Sequence, residues 1–197
     1  MGTIECRPVF GFLPDPDVTW EYAIDLGHLY CGQNYDAFGC LFGVMNFAGF
    51  QPVAADRGLP AGAASQTVEA AVDGTHATWV SWAEIEAIDW TEAATRPDER
   101  MHWYTRDENG QWRYAGKAGQ DTVFAEHLGL SPAEAAARSW PAGSQWVIGE
   151  RLYRAEILSR RDAIPSHSEW RPVWAVMAAL SDAHGPDNVR LVAWFDQ

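Results

Sequence analysis

Lysine is almost absent from this chain: of its 14 basic residues only Lys117 is a lysine, set against 27 Asp and Glu and a net charge of −13. That balance excludes the clustered basic surface a phosphate backbone requires, so no nucleic-acid partner is expected. The acids are also dispersed and interrupted by hydrophobes, from Asp15, Asp17, Glu21 and Asp25 to Glu84, Glu86, Asp89 and Glu92. This argues against an acidic decoy of nucleic acid. Cysteine is scarce: Cys6, Cys31 and Cys40 are odd in number and share no CxxC spacing. A disulfide framework or structural zinc site is therefore not expected, and without a signal-like opening a reducing, cytoplasmic setting fits best. Long apolar runs are missing too. The nearest, Phe38 to Phe50, is broken by Gly39, Gly43, Asn46 and Gly49, so no membrane association is expected. The sixth residue is Cys6, where a myristoylation signal needs Ser or Thr. There is no Gly-x-Ser-x-Gly elbow, phosphate loop or dinucleotide fingerprint, which excludes α/β-hydrolases, kinases and Rossmann oxidoreductases. No cofactor is expected.

What is present is a globular composition, 47% hydrophobic over 197 residues, with 11 tryptophans. That length gives one domain by default, and so many indoles suit a large core or an aromatic-lined cavity. Residues 4 to 12 and 18 to 26 read as a hairpin, since Trp20, Tyr22, Ile24 and Leu26 alternate with more polar residues. Asn34 is a candidate N-cap for a helix to about Val44, and Asn46 to Ala64 forms a long loop. Capping boxes at Ser81 and Ser131 open two short helices. Asp107 to Gly110 marks the turn of a second hairpin, and a strand is expected within Trp146 to Leu158. Ser166 to Glu169 starts the longest helix, stopped at Gly185, and Val189 to Asp196 is a strand of high propensity. The expected class is α+β: a single domain, 1–197, with a mixed, mainly antiparallel sheet holding the C-terminal strand in its interior, packed by three or four helices.

Three segments stand out: Asn34-Tyr35, Arg57-Gly58-Leu59-Pro60, and Asp73-Gly74-Thr75-His76-Ala77-Thr78-Trp79. Together with Phe38 and the ending Val189 to Asp196, they resemble small phage and bacterial proteins that begin Met-Gly-Cys-Asp-Ile-His. The order and approximate spacing agree over nearly the whole length. That family has no established activity, so the resemblance implies a fold grouping and a set of positions. The opening departs from the pattern. Alternate residues on a strand share a face, so Glu5 with Arg7 makes an ion pair here, and Ile4 with Cys6 an apolar face.

The residues chosen for chemistry follow from these segments. His76, oriented by Asp73 in a loop before the Ser81 helix, is the candidate acid or base. Arg57 is the candidate grip for an anionic group, although it can equally pin its own loop through carbonyls. Tyr35, Trp79 and Trp194 are the expected walls of a cleft into which all three segments converge. His28, His102, His127, His167 and His184 are too scattered to complete a metal site, and none is expected. The leading expectation is a cofactor-independent enzyme acting on a small aromatic or apolar molecule in a Trp-lined cleft. The alternative is a non-catalytic, phage-related protein that sequesters a metabolite or host partner. The sequence leaves the oligomeric state open.

Overall fold

The final strand organises the molecule. In the computed structural model, which describes residues 1–9, 19–71 and 75–195, the first sheet has the order β2-β1-β8-β3. Its strands are Gly2–Cys6 (β1), Glu21–Asp25 (β2), Thr75–Ser81 (β3) and Val189–Phe195 (β8), and every pairing is antiparallel. Every residue from Val189 to Trp194 is buried, as a strand covered on both faces requires. The C-terminal strand thus lies inside its sheet.

One face carries Ile4, Cys6, Val80, Leu191 and Ala193, and packs on Ala37, Cys40 and Leu41 of Tyr35–Phe42 (α1) and on Val173 and Met177 of Arg171–His184 (α7). The other face mixes buried apolar Val192 and Trp194 with polar groups and is also closed. Thr3 meets Thr67 of Ser65–Ala70 (α2) at 3.1 Å, and Glu5 accepts from Arg190 Nε at 2.8 Å and from the Ala64 amide at 2.9 Å. The expected Glu5–Arg7 pair is not formed. Glu5 and Arg190 are directly opposed across β1 and β8, which favours that pair, while Arg7 lies beyond β1 and bonds Asn188.

The expectation of one sheet is met by two. Met101–Arg106 (β4), Trp112–Ala118 (β5), Gln145–Ile148 (β6) and Arg151–Arg154 (β7) form a second antiparallel sheet, order β5-β4-β7-β6. Consecutive in sequence, these strands pair only with one another, β4 and β7 across two hairpins. They bury Met101, Phe124 and Tyr153 under Thr122–His127 (α4) and Pro132–Ala136 (α5). Entry and exit run side by side, with Ala94 N bonded to Leu158 O and Asp98 N to Glu156 O, both at 2.8 Å.

The described residues hold seven α-helices, more than the three or four expected, and the class remains α+β. The additions are short, including α2, α4 and Arg160–Ala163 (α6), so no helical period could show. Trp82–Glu86 (α3) and α5 carry both expected capping boxes. The start of α7 falls at Arg171 and not at Ser166. Pro172 explains this, because its ring would collide with the carbonyl four residues earlier and has no N–H to offer it.

Candidate functional site

Antiparallel pairing brings the starts of β1 and β3 and the ends of β2 and β8 to one end of the first sheet. Against that end lies a cleft of about 1190 Å³. Its walls are aromatic. On α1, Tyr35, Phe38 and Phe42 fall at i, i+3 and i+7, one helical face, and all three line the cleft. Phe195, at the end of β8, meets Phe38 and Phe42 at ring separations of 5.3 and 5.7 Å. Trp170 closes the base, 4.6 Å from Tyr30 and stacked on Trp174 at 5.1 Å. Burial, with the Glu169 carboxylate close by, pushes the Tyr30 phenol up to about 12 against the opposing Asn34 N–H, so it stays protonated. Gly43, left-handed at φ 77°, ends α1 and turns the chain along the rim. Asn46 then braces that turn by bonding both the N–H and the C=O of Phe50.

The backbone around the cleft is strained in one specific way. Among the described residues, three non-glycine residues have a left-handed backbone: Met45 (φ 52°), Asp56 (φ 52°) and His76 (φ 56°). All three line this cleft. Each costs roughly 1–3 kcal/mol, and such residues gather where binding or catalysis requires a particular backbone course.

His76 is exposed in the lining. Its segment, expected as a loop, is strand β3: Thr78, Trp79 and Val80 pair with Ala193, Val192 and Leu191, and the register breaks between Thr75 and Thr78, at His76. The Thr- and Val-containing sequence and the waiting edge of β8 explain the strand. Tyr35 and Trp194 line the same cleft as His76. Asp73 lies outside the described residues.

Arg57 and Trp79 are not in the lining. The Arg57 guanidinium is engaged by Glu84, at 3.0 Å from Nη1 and 2.7 Å from Nη2, and donates to the carbonyls of Trp79 and Val53. It also lies 5.1 Å over the Trp79 ring. Glu84 simultaneously caps α3 by accepting from Ser81 N and Oγ, both at 2.9 Å. Burial alone would raise the Glu84 carboxyl, but the bonds from Arg57 and Ser81 outweigh it and hold it below its ordinary value. Arg57 therefore pins the long loop to α3, and places its neighbour Asp56 at the cleft.

No family model, curated protein or solved structure matches the chain. The site must be read from its own chemistry. Sequence reasoning missed Tyr30, Met45, Asp56 and Trp170, all in the lining. Of such a wall the sequence signalled only the abundance of tryptophan. Cys6, Cys31 and Cys40 are free thiols, and Cys31 is the exposed one and lines the cleft. Among the described residues no group of three His, Cys, Asp or Glu could hold a metal ion. No helix there is long and apolar enough to cross a membrane.

A second cluster was also missed. Asp98, its side chain fully buried, accepts from Arg100 Nε (2.9 Å), Arg100 Nη2 (2.8 Å), Lys117 Nζ (3.0 Å) and His102 Nε2 (3.0 Å). Asp36 on α1 takes Arg100 and, at 2.6 Å, Lys117. Burial would raise the Asp98 carboxyl, but the His102 and Arg100 bonds and the Lys117 charge hold it far below its ordinary value. The cluster clasps the second sheet to α1 beside the cleft: Phe47 lies under Arg100 at 5.0 Å and meets Tyr35 edge-on at 6.3 Å. Its members occur as far apart as 64 and 81 residues, so no spacing could reveal them.

Proposed function

We propose that the protein binds a small aromatic or apolar organic molecule in the cleft at the end of the first sheet. The observation that carries this reading is the convergence of all three left-handed non-glycine residues of the described chain on one aromatic-walled cleft. The volume, about 1190 Å³, accommodates a drug-sized ligand. Binding is favoured over the catalytic reading because the arginine expected to hold a substrate is committed to Glu84. Acid–base catalysis by His76 is kept as the second reading on one observation: its strained backbone holds an exposed imidazole in the lining.

Cys31 provides the test. N-ethylmaleimide should modify this exposed thiol and spare the buried Cys6 and Cys40, placing a bulky adduct in the cleft. Titration calorimetry with indole, phenol and 2-naphthol should show binding that the adduct abolishes and that Cys31→Ser protects from the reagent. Binding unaffected by the adduct would place the ligand elsewhere and overturn the proposal. For the second reading, His76→Ala should retain affinity and lose any turnover of the bound compound seen by NMR.

A further inference from the structure

Both fully buried carboxylates of the described residues have basic partners, Glu5 in Arg190 and Asp98 in Arg100 and Lys117, and half-buried Asp36 and Glu84 are paired as well. The carboxylates at the cleft, half-buried Asp25 and exposed Asp56 and Glu169, are not paired in this way. Asp25 and Asp56 line it, and Glu169 fills the space that a side chain on Gly32, another lining residue, would occupy. Among the described residues none of these three is ion-paired with an arginine or lysine. No arginine or lysine lines the cleft. Segments 10–18, 72–74 and 196–197 contain no Lys, Arg or His, so they have no basic side chain to add. The basic groups of the lining are His76 and the Met1 ammonium, which donates to the Trp194 carbonyl at 2.6 Å.

We infer that the ligand of this cleft is an organic cation, an amine or quaternary ammonium carried on an apolar or aromatic body. The inference rests on the cleft being the small-molecule site and names its ligand class. Two independent features recognise such a cation. Aromatic faces attract it through their quadrupoles, and the partly exposed rings of Tyr35, Phe38 and Phe195 lie together here. Carboxylates that no arginine or lysine pairs supply the opposite sign, and an anionic ligand would meet them with no guanidinium to hold it. The net charge of −13 adds a long-range field that draws cations inward. Asp25 is held in place, since its Oδ1 accepts the Gly27 amide at 2.6 Å as the cap of the turn Leu26–His28, and the backbone of Asp56 is left-handed at φ 52°.

The test compares three probes by calorimetry: phenyltrimethylammonium, its neutral isostere tert-butylbenzene, and benzoate. The cation should bind roughly tenfold tighter than the neutral isostere, the scale of a desolvated cation–π contact, and benzoate should not bind measurably. Asp25→Asn/Asp56→Asn should reduce that cation preference severalfold, leaving the cation–π part, and should leave the affinity for the isostere unchanged. Asparagine can still accept from Gly27 and tolerates the left-handed backbone, and Asp56→Asn alone should reduce the ratio in the same direction. Equal or tighter binding of tert-butylbenzene to the unsubstituted protein, abolished by the Cys31 adduct, overturns the cation inference and leaves the cleft as the binding site. An unchanged cation preference in the Asn variants also overturns it. Failure of all three probes to bind, or binding that ignores the adduct, removes both readings.

Discussion

Replacing Asp98 with asparagine tests the clasp between the second sheet and α1. The side chain is fully buried and accepts from Arg100, Lys117 and His102. Asp98→Asn keeps the shape but removes the negative charge, leaving Arg100 and Lys117, each 13% exposed, to share Asp36. Removing one partner from a buried charge cluster strands the others, at a cost of about 3–5 kcal/mol. The pH dependence follows from the sign of the shift. Asp98 is held well below its ordinary value of 3.8, so its contribution is complete above that pH and is lost as pH falls through the lower, folded-state value. Urea unfolding followed by circular dichroism should show a gap between the original protein and the variant that does not narrow from pH 7 to about 4, and that closes only in stronger acid. A variant within about 1 kcal/mol of the original at pH 7 would refute the reasoning, since a buried pair cannot lose its partner so cheaply. A gap that narrows between pH 7 and 5 would refute the assigned titration.

Two further substitutions separate architecture from site. Arg57→Ala should lower stability by about 1–2 kcal/mol, because it loosens the loop and weakens the α3 cap, while affinity for a neutral cleft ligand stays within about twofold, since the loop's contribution to the cleft is the Asp56 charge. Met45→Gly relieves a left-handed backbone at a half-exposed residue, so thermal unfolding should show a gain of roughly 0.5–1 kcal/mol. The same change removes a side chain from the cleft wall and should weaken ligand binding in calorimetry. A variant that gains neither stability nor loses affinity would separate the strain from the site.

Local chemistry was legible in the sequence where a signal occupies adjacent residues. The caps at Asn34, Ser81 and Ser131 form as the side chains dictate, and Gly110 takes the left-handed backbone of the expected turn. The weakly alternating stretch after Trp146 misled because it holds two strands: Gly149 (φ 59°) and Glu150 make a two-residue turn between β6 and β7, a hairpin signal set among apolar residues. Convergence over distance was not legible. Tyr35, His76 and Trp194 were placed in one cleft by their segments, but Arg57 turned to Glu84, because a guanidinium beside a helix cap finds its carboxylate locally. The Asp36–Asp98–Lys117 clasp lies beyond sequence reading for the same reason, since only the packed chain brings those charges together.

The position of β8 also sets the order in which this protein can assemble. Glu5 and Arg190 lie 185 residues apart, and the strand carrying Arg190 is the one on which β1 and β3 both pair. Every strand of the second sheet ends by Arg154, so even with its long-range β4–β7 pairing it can form while the C-terminal strand is still being synthesised. The first sheet cannot close until the ribosome has delivered residue 189 and beyond. Until then β1 and β3 each present a bare row of N–H and C=O groups, the arrangement most prone to pairing with another chain. A nascent or truncated polypeptide that lacks β8 is therefore a substrate for chaperones or for aggregation, however well its second sheet has formed.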